Sequence, residues 1–129
     1  MALATREQLL KPAPRRYVEI TLPVSGQRVR IQSLLEGEKS FHEASVQFDE
    51  KGERRSALDR VETSKPLMIC ATLVDESGKL LLGDDDIDAV ADMDGKDVAA
   101  IYDVAWEHCG FAPTDVETIL KNSGKVPAA

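Results

Sequence analysis

The stretch "YVEITLPVSGQRVRIQ", residues 17–32, contains the clearest strand pattern in the chain. Apolar and polar residues alternate on both sides of "PVSGQ", as they do in strands that bury one face. A two-residue turn at Ser25 and Gly26 is the predicted connection, which makes the two strands a β-hairpin. The predicted register places Ile20 opposite Ile31 and Leu22 opposite Val29, with Glu19 diagonal to Arg30. Because a hairpin alone is marginally stable, its apolar face is expected to lie on helices.

The segment before the hairpin, residues 1–16, is expected to be an arm that contains one short helix. Thr5 is the predicted N-cap of that helix. Pro12 and Pro14 are expected to end it, because the residue before a proline avoids the helical conformation. A helix this brief needs a partner surface to be stable.

The stretch after the hairpin, residues 33–48, predicts a helix with one buried stripe. Ser33 and Glu36 have the spacing of a capping box, although Gly37 can shift the start by a turn. The predicted buried stripe consists of Leu34, Gly37, Phe41, Ala44 and Phe48. His42 lies beside this stripe and is expected to be solvated or at its edge, since no nucleophile or acid is spaced to act with it.

A polar stretch follows and predicts a loop at 50–53 with a short helix after it. The apolar run "KPLMICATLV" then fits either a buried helix or a buried strand, because periodicity does not separate the two. Pro66 suits the first turn of a helix, and we therefore favour a helix. The alternative is a strand over 67–74 that pairs with 79–82 across the turn "DESG".

The aspartate-rich stretch "GDDDIDAVADMDGKD" raises the question of a metal site. A calcium loop of the EF-hand type needs oxygen ligands at positions 1, 3, 5 and 12 and glycine at position 6. With Gly95 at position 6, the first and last positions are Val90 and Ile101, which carry no side-chain oxygen. We therefore interpret the aspartates as two capped helix starts, one within 84–86 and one at Asp94, and predict no metal site.

The most regular helical pattern in the chain ends at Gly110, which stands where a left-handed C-cap belongs. Its predicted core-facing residues are Val98, Ile101, Tyr102, Ala105 and Cys109. Trp106 lies beside this stripe, and we favour a place in the core over an anchor for a partner. A last helix is predicted to open with Thr114 and Glu117 as a capping box, and residues 123–129 are predicted to be a flexible tail.

Composition excludes several classes of function. The net charge is −7 and the chain has no basic stripe, which argues against nucleic-acid binding. No stretch approaches the ~20 apolar residues of a membrane span, and the N-terminus lacks a signal peptide, so a cytoplasmic location is expected.

Cys70 and Cys109 are expected to be reduced and buried. The chain contains no glycine-rich phosphate loop and no G-x-S-x-G, H-E-x-x-H or C-x-x-C motif, so we predict no catalytic residue, no cofactor and no enzymatic activity.

These patterns together predict an α+β protein in which an N-terminal β-hairpin packs on a bundle of four to five short helices. The arm at 1–16 precedes a single domain at 17–122, and the tail at 123–129 follows it. At 129 residues the chain has the size of one domain with one core. An acidic surface of this kind favours solubility.

The order of the parts resembles a known family. A hairpin that ends in V-R-I leads into a helix through Leu34, Leu35, Gly37 and Glu38, and the next motif is Cys70, Leu73, Val74, Asp75, Glu76, Gly78 and Lys79. Two further motifs complete the set. The first is a helix start at Gly83 to Ile87, and the second is a C-terminal motif of Asp103, Val104, Ala105, Gly110, Asp115, Val116 and Glu117. In this order the motifs resemble the lambda-like tail assembly chaperones of long-tailed bacteriophages and prophages. The resemblance covers about residues 5–122, and Pro66 interrupts what is usually a smoother helix in that family.

The resemblance implies a function in tail assembly. Such a chaperone binds the tape measure protein, keeps it soluble and recruits tail tube subunits, and it acts in the host cell cytoplasm and is absent from the mature virion. It also implies a homo-oligomer, and a longer form made by ribosomal frameshifting, with which Ser123-Gly124-Lys125 is compatible. There are two alternatives. One is a structural tail or head–tail component that is retained in the virion, and the other is an unrelated small interaction module.

The predicted partner-contact residues are Leu80, Leu81, Leu82 and Phe111. These apolar residues stand at the ends of elements rather than on a helical stripe. Closure of the core is the alternative role for all four, because apolar residues at element ends often cover the core of a small domain.

Overall fold

Residues 2–111 are described by a computed structural model, and they form an α+β fold, as the sequence predicts. The elements are α1 (Arg6–Leu9), β1 (Tyr17–Thr21), β2 (Arg28–Gln32), α2 (Glu36–Gln47), α3 (Ala57–Thr72), β3 (Leu73–Val74), α4 (Ile87–Val90) and α5 (Gly95–His108). A short 3₁₀ turn, Asp84–Asp86, leads into α4. The predicted helix from Thr114, the predicted tail and the end of the predicted domain lie outside the described residues.

The predicted hairpin is confirmed, but its predicted register is wrong. The observed pairs are Val18 with Ile31, Glu19 with Arg30 and Ile20 with Val29. A two-residue turn of the common type needs a positive φ at both of its residues. Gly26 has one, at 74°, whereas no non-glycine residue in 2–111 does. The chain therefore reverses through the four residues 23–26, and the amide of Leu22 donates to the Gln27 carbonyl at 2.8 Å. The register shifts by two residues, which leaves the same side chains on the apolar face.

Helix α3 and strand β3 resolve the open question at residues 66–74. The helix continues through Pro66 to Thr72, so helix is confirmed for most of the apolar run. Leu73 and Val74 then pair antiparallel with β2 and add a third strand that the favoured prediction lacked. The turn of the alternative prediction also forms, because Val74 bridges to Leu80 across "DESG". Each prediction was correct for part of this stretch.

The core lies between the sheet, the second half of α3 and helix α5. Its fully enclosed side chains include Ile31 from β2, Met68 and Ile69 from α3, and Ile101 from α5. The first half of α3 projects from this core and exposes Leu58. None of the helices in residues 2–111 combines the length and apolar character that crossing a bilayer requires.

Helix α5 follows its sequence prediction closely. Asp94 caps it by accepting the amide of Lys96 at 2.8 Å, and Gly110 ends it with a φ of 79°. The predicted stripe faces the core, with Ile101, Ala105 and Cys109 buried and Val98 and Tyr102 half-buried. Trp106 packs against the core between Tyr102 and Phe111, as predicted.

The aspartates between 84 and 97 serve different local contacts. Asp86 stands at the N-cap position of α4, as predicted for an aspartate within 84–86, but its side chain makes no cap hydrogen bond to that helix. The carboxylate instead accepts the amide of Gly83, the cap position of the 3₁₀ turn, at 2.8 Å. Asp97, which is buried, accepts the amides of Val24 and Ser25 at 2.8 and 3.1 Å. The first turn of α5 therefore holds the hairpin loop in place.

Candidate functional site

Helix α2 turns a different face to the core than the sequence predicts. Phe41 is 76% exposed and Phe48 is 45% exposed, so the predicted buried stripe is wrong at both phenylalanines. Gly37 and Ala44 are exposed too, and Leu34 is half-buried. His42, predicted to be solvated or at the edge, is only 6% exposed.

The start of α2 explains part of this difference. The predicted cap, Ser33, is buried, and its hydroxyl accepts the backbone amide of Arg16 at 2.9 Å. The helix begins instead after Leu35, whose amide donates to the Glu38 carboxylate at 2.9 Å. With this start, the His42 ring packs at 68° against the Phe111 ring, with the centroids 5.6 Å apart. His42 is buried in contact with Phe111, and the neighbouring Phe41 is turned outward.

An apolar groove lies between α2, the second half of α3 and residues 80–84, and we call it the α2 groove. Its volume is about 390 Å³. The apolar side chains that line it are Leu34, Phe41, Leu67, Cys70, Ala71, Leu80 and Leu82. Glu38 and Asp84 are the carboxylates among its lining residues. Exposed phenylalanine and leucine beside a concave apolar surface are typical of a site that binds another polypeptide.

The predicted partner-contact residues divide between two places. Leu80 and Leu82 line the α2 groove, where Leu80 is 56% exposed and Leu82 packs against the core. Leu81 is 53% exposed and is not among the residues lining the groove. Phe111 packs against the core on the other side of His42. Phe41, which the sequence placed in the core, joins Leu80 in the α2 groove.

A second cavity of about 530 Å³ separates α2 from α5. It is lined by Lys39, His42, Val46, Tyr102, Trp106 and Phe111, among others. The Lys39 ammonium lies 4.9 Å from the Phe111 ring centroid and donates to the Gly110 carbonyl at 3.1 Å. His42 lines both cavities and forms the wall between them.

Burial sets the ionisation of the groups near the α2 groove. It lowers the pKa of His42, because desolvation disfavours the imidazolium, and Glu43 only partly opposes this. It raises the pKa of the Cys70 thiol, an effect to which Asp86 and Asp84 add. The pKa of the buried Cys109 thiol is also raised, chiefly by desolvation. Both cysteines are free and buried, as predicted, and a protonated thiol is a poor nucleophile.

Within residues 2–111, histidine, cysteine and acidic side chains form no group of three or more that could hold a metal ion. Asp86, Asp94 and Asp97 accept backbone amides instead. The α2 groove offers apolar side chains for contact, with the carboxylates of Glu38 and Asp84 among its lining residues. Comparison with protein-family models, with curated proteins and with solved structures gives no match for this chain.

Proposed function

We propose that this chain is a phage tail assembly chaperone and that its α2 groove binds an apolar helical face of the tape measure protein. The observation that carries the proposal is the exposure of Phe41, at 76%, beside the half-exposed Leu80 in one apolar groove. Exposed apolar side chains that meet in one concave apolar surface are candidates for a binding role. The order of sequence motifs supports the same function independently.

The α2 groove suits an amphipathic helix as its client. Helix-in-groove recognition uses a few apolar anchors spaced along one helical face. Complete burial of one leucine or phenylalanine contributes roughly 1.5–3 kcal/mol, so two or three anchors supply roughly 3–9 kcal/mol before the cost of association. Micromolar binding corresponds to about 8 kcal/mol net, so it needs further contacts along the client helix beside these anchors. Binding of that strength is reversible, as a chaperone that leaves the assembled tail requires.

The acidic surface of the chain supports a role in solubility. A chain with net charge −7 that covers an apolar client face gives the complex a charged exterior, which opposes aggregation. The resemblance adds four further parts to the proposal. These are recruitment of tail tube subunits, action in the host cell cytoplasm, absence from the virion, and a longer form made by frameshifting.

Co-expression with the tape measure protein tests the proposal. We expect the client to be soluble with the wild-type chain and largely insoluble with Phe41→Glu, which places a charge in the α2 groove. Leu58→Glu is the matched control, because Leu58 is 67% exposed on α3 and lies outside the groove. This control should keep the client soluble.

The outcomes separate the parts of the proposal. A client that is no more soluble with the wild-type chain contradicts the chaperone function. If Phe41→Glu protects the client as well as the wild type does, the assignment of client binding to the α2 groove is wrong. Mass spectrometry of purified virions distinguishes a chaperone, which should be missing, from a structural tail component.

A further inference from the structure

The N-terminal arm leaves the domain beside the α2 groove. The Arg15 guanidinium binds the Glu38 carboxylate through two contacts, at 2.7 and 3.1 Å, and donates to the Ser33 carbonyl at 3.0 Å. Arg16 donates to the His108 carbonyl at the end of α5. Since Glu38 lines the α2 groove, these contacts fix the root of the arm at the groove wall.

Beyond this root, the arm presents apolar side chains to solvent. Leu3, Leu9 and Leu10 are 93%, 75% and 61% exposed, and α1 buries no residue. Thr5 caps α1 as the sequence predicts, with a reciprocal bond to Gln8. Because a four-residue helix is not stable by itself in water, a capped turn with exposed leucines is suited to docking on another surface.

The charge of the arm complements that of the α2 groove. Residues 2–11, the part of the arm beyond its root, contain two basic residues and one acidic residue, whereas the chain as a whole carries −7. The basic residues, Arg6 and Lys11, flank Leu9 and Leu10 and are exposed. Among the carboxylates that line the groove, Glu38 already pairs with Arg15, and Asp84 is exposed. Basic groups beside an apolar segment therefore match an apolar groove that has an acidic wall at Asp84.

The path of the arm favours a groove on another copy. Leu9 and Leu10 are exposed and Phe41 is exposed as well, so the arm does not cover the groove of its own chain. Pro12 and Pro14 stiffen the link between the leucines and Arg15 and keep it extended. Five extended residues span roughly 17 Å, which gives the leucines reach beyond the root of the arm at Arg15.

We propose that residues 2–11 of one copy dock in the α2 groove of a second copy of this chain. Leu9 and Leu10 are the anchors, and Phe41 and Leu80 are their contacts in the groove. Two copies can exchange arms reciprocally, or several can pass arms around a closed ring. The contact uses the same groove as the proposed client site but does not depend on a client, so each proposal can fail while the other holds.

The test measures the mass of the full chain by light scattering and sedimentation over a wide range of concentration, with no client present. We expect the wild type to assemble. We expect Leu9→Glu/Leu10→Glu and Phe41→Glu each to weaken assembly by about 100-fold, since each removes apolar burial and adds a charge. All three positions are exposed in the single chain, so the variants should stay folded. Leu58→Glu is the matched control and should assemble like the wild type.

Mixing the two defective variants shows whether the arm of one copy binds the α2 groove of another copy. The Leu9→Glu/Leu10→Glu copy keeps an intact groove and the Phe41→Glu copy keeps an intact arm. An equimolar mixture should therefore form a one-to-one complex that neither variant forms alone. A monomeric wild type, variants that assemble normally, or a mixture that stays monomeric would each overturn the proposal.

Discussion

Helices α2 and α5 are similar in length, 12 and 14 residues, but they place their apolar side chains oppositely. Helix α5 buries Ile101 and Ala105 completely. Helix α2 buries His42 and leaves Phe41 largely in solvent. The difference indicates that α5 contributes mainly to stability, whereas α2 carries apolar surface that is available to a partner.

Truncation of one large apolar side chain on each helix tests this difference most directly. Ile101→Ala should lower the free energy of unfolding by about 2–5 kcal/mol, because it leaves a cavity in a fully buried site. Phe41→Ala should change it by no more than about 0.5 kcal/mol, because the side chain is mostly exposed. Denaturant titration measures both.

The two variants should rank in the opposite order when binding is measured, with the larger loss for Phe41→Ala. Phe41→Ala should weaken arm-mediated assembly and client protection, whereas Ile101→Ala, where it remains folded, should leave both intact. A Phe41→Ala variant that is as unstable as Ile101→Ala would contradict the division between the two helices. It would mean that Phe41 belongs to the core, as its periodicity predicts.

The two helices also show how far the sequence determines the fold. The periodic stripe of α5 predicted the buried residues correctly: Gly110 and Asp94 fix both ends of the helix, and Ile101, Ala105 and Cys109 are buried. The period of α2 was equally regular. Periodicity reports which side chains share a face, but not whether that face meets the core or solvent. The burial of His42 depends on Phe111, a contact across the fold that no local pattern contains.

The hairpin and the groove show the same limit. Alternation predicted the strands and their apolar face, but the length of the loop depends on Gly26 and on Asp97, which lies 73 positions after Val24. Leu80 and Leu82, which line the α2 groove, were predicted as contact residues because they stand at an element end. Phe41 was not, because its spacing fits a buried stripe. The errors in predicted burial thus fall on the helix that carries the candidate site, whereas the hairpin error is one of register.

The buried carboxylate at the start of α5 gives the next largest expected effect. Asp97→Ala leaves the amides of Val24 and Ser25 without their acceptor and should lower the free energy of unfolding by about 2–3 kcal/mol. Asp103→Ala, an exposed carboxylate on the same helix, is the control and should change it by less than about 0.5 kcal/mol. Equal effects of the two substitutions would contradict the role of the Asp97 carboxylate as the acceptor that holds the hairpin loop.

The histidine that α2 buries should make stability depend on pH. Burial lowers the folded-state pKa of His42, so the unfolded chain binds the proton more readily. The contribution of neutral His42 is then fully present above its unfolded pKa of about 6.5, and is lost as the pH falls below that value. The difference in unfolding free energy between the wild type and His42→Gln should be constant above about pH 7.5 and should decrease towards pH 5.5. An increase towards low pH would indicate that a carboxylate stabilises the imidazolium.

Glycine substitutions should give the smallest effects, and their signs should differ between the two helices. Gly110 ends α5 with a φ of 79°, a conformation that costs a residue with a side chain about 1–2 kcal/mol, so Gly110→Ala should be destabilising by about 1 kcal/mol. Gly37 lies in the first turn of α2 without a positive φ, and an added Cβ there contacts nothing within 4 Å. Gly37→Ala should therefore be stabilising by about 0.5 kcal/mol, since alanine loses less backbone entropy in a helix. Thermal unfolding of both variants measures the two signs. If Gly37→Ala is destabilising as well, the open space beside Gly37 and its helical conformation do not decide the effect, and the contrast between the two helix ends fails.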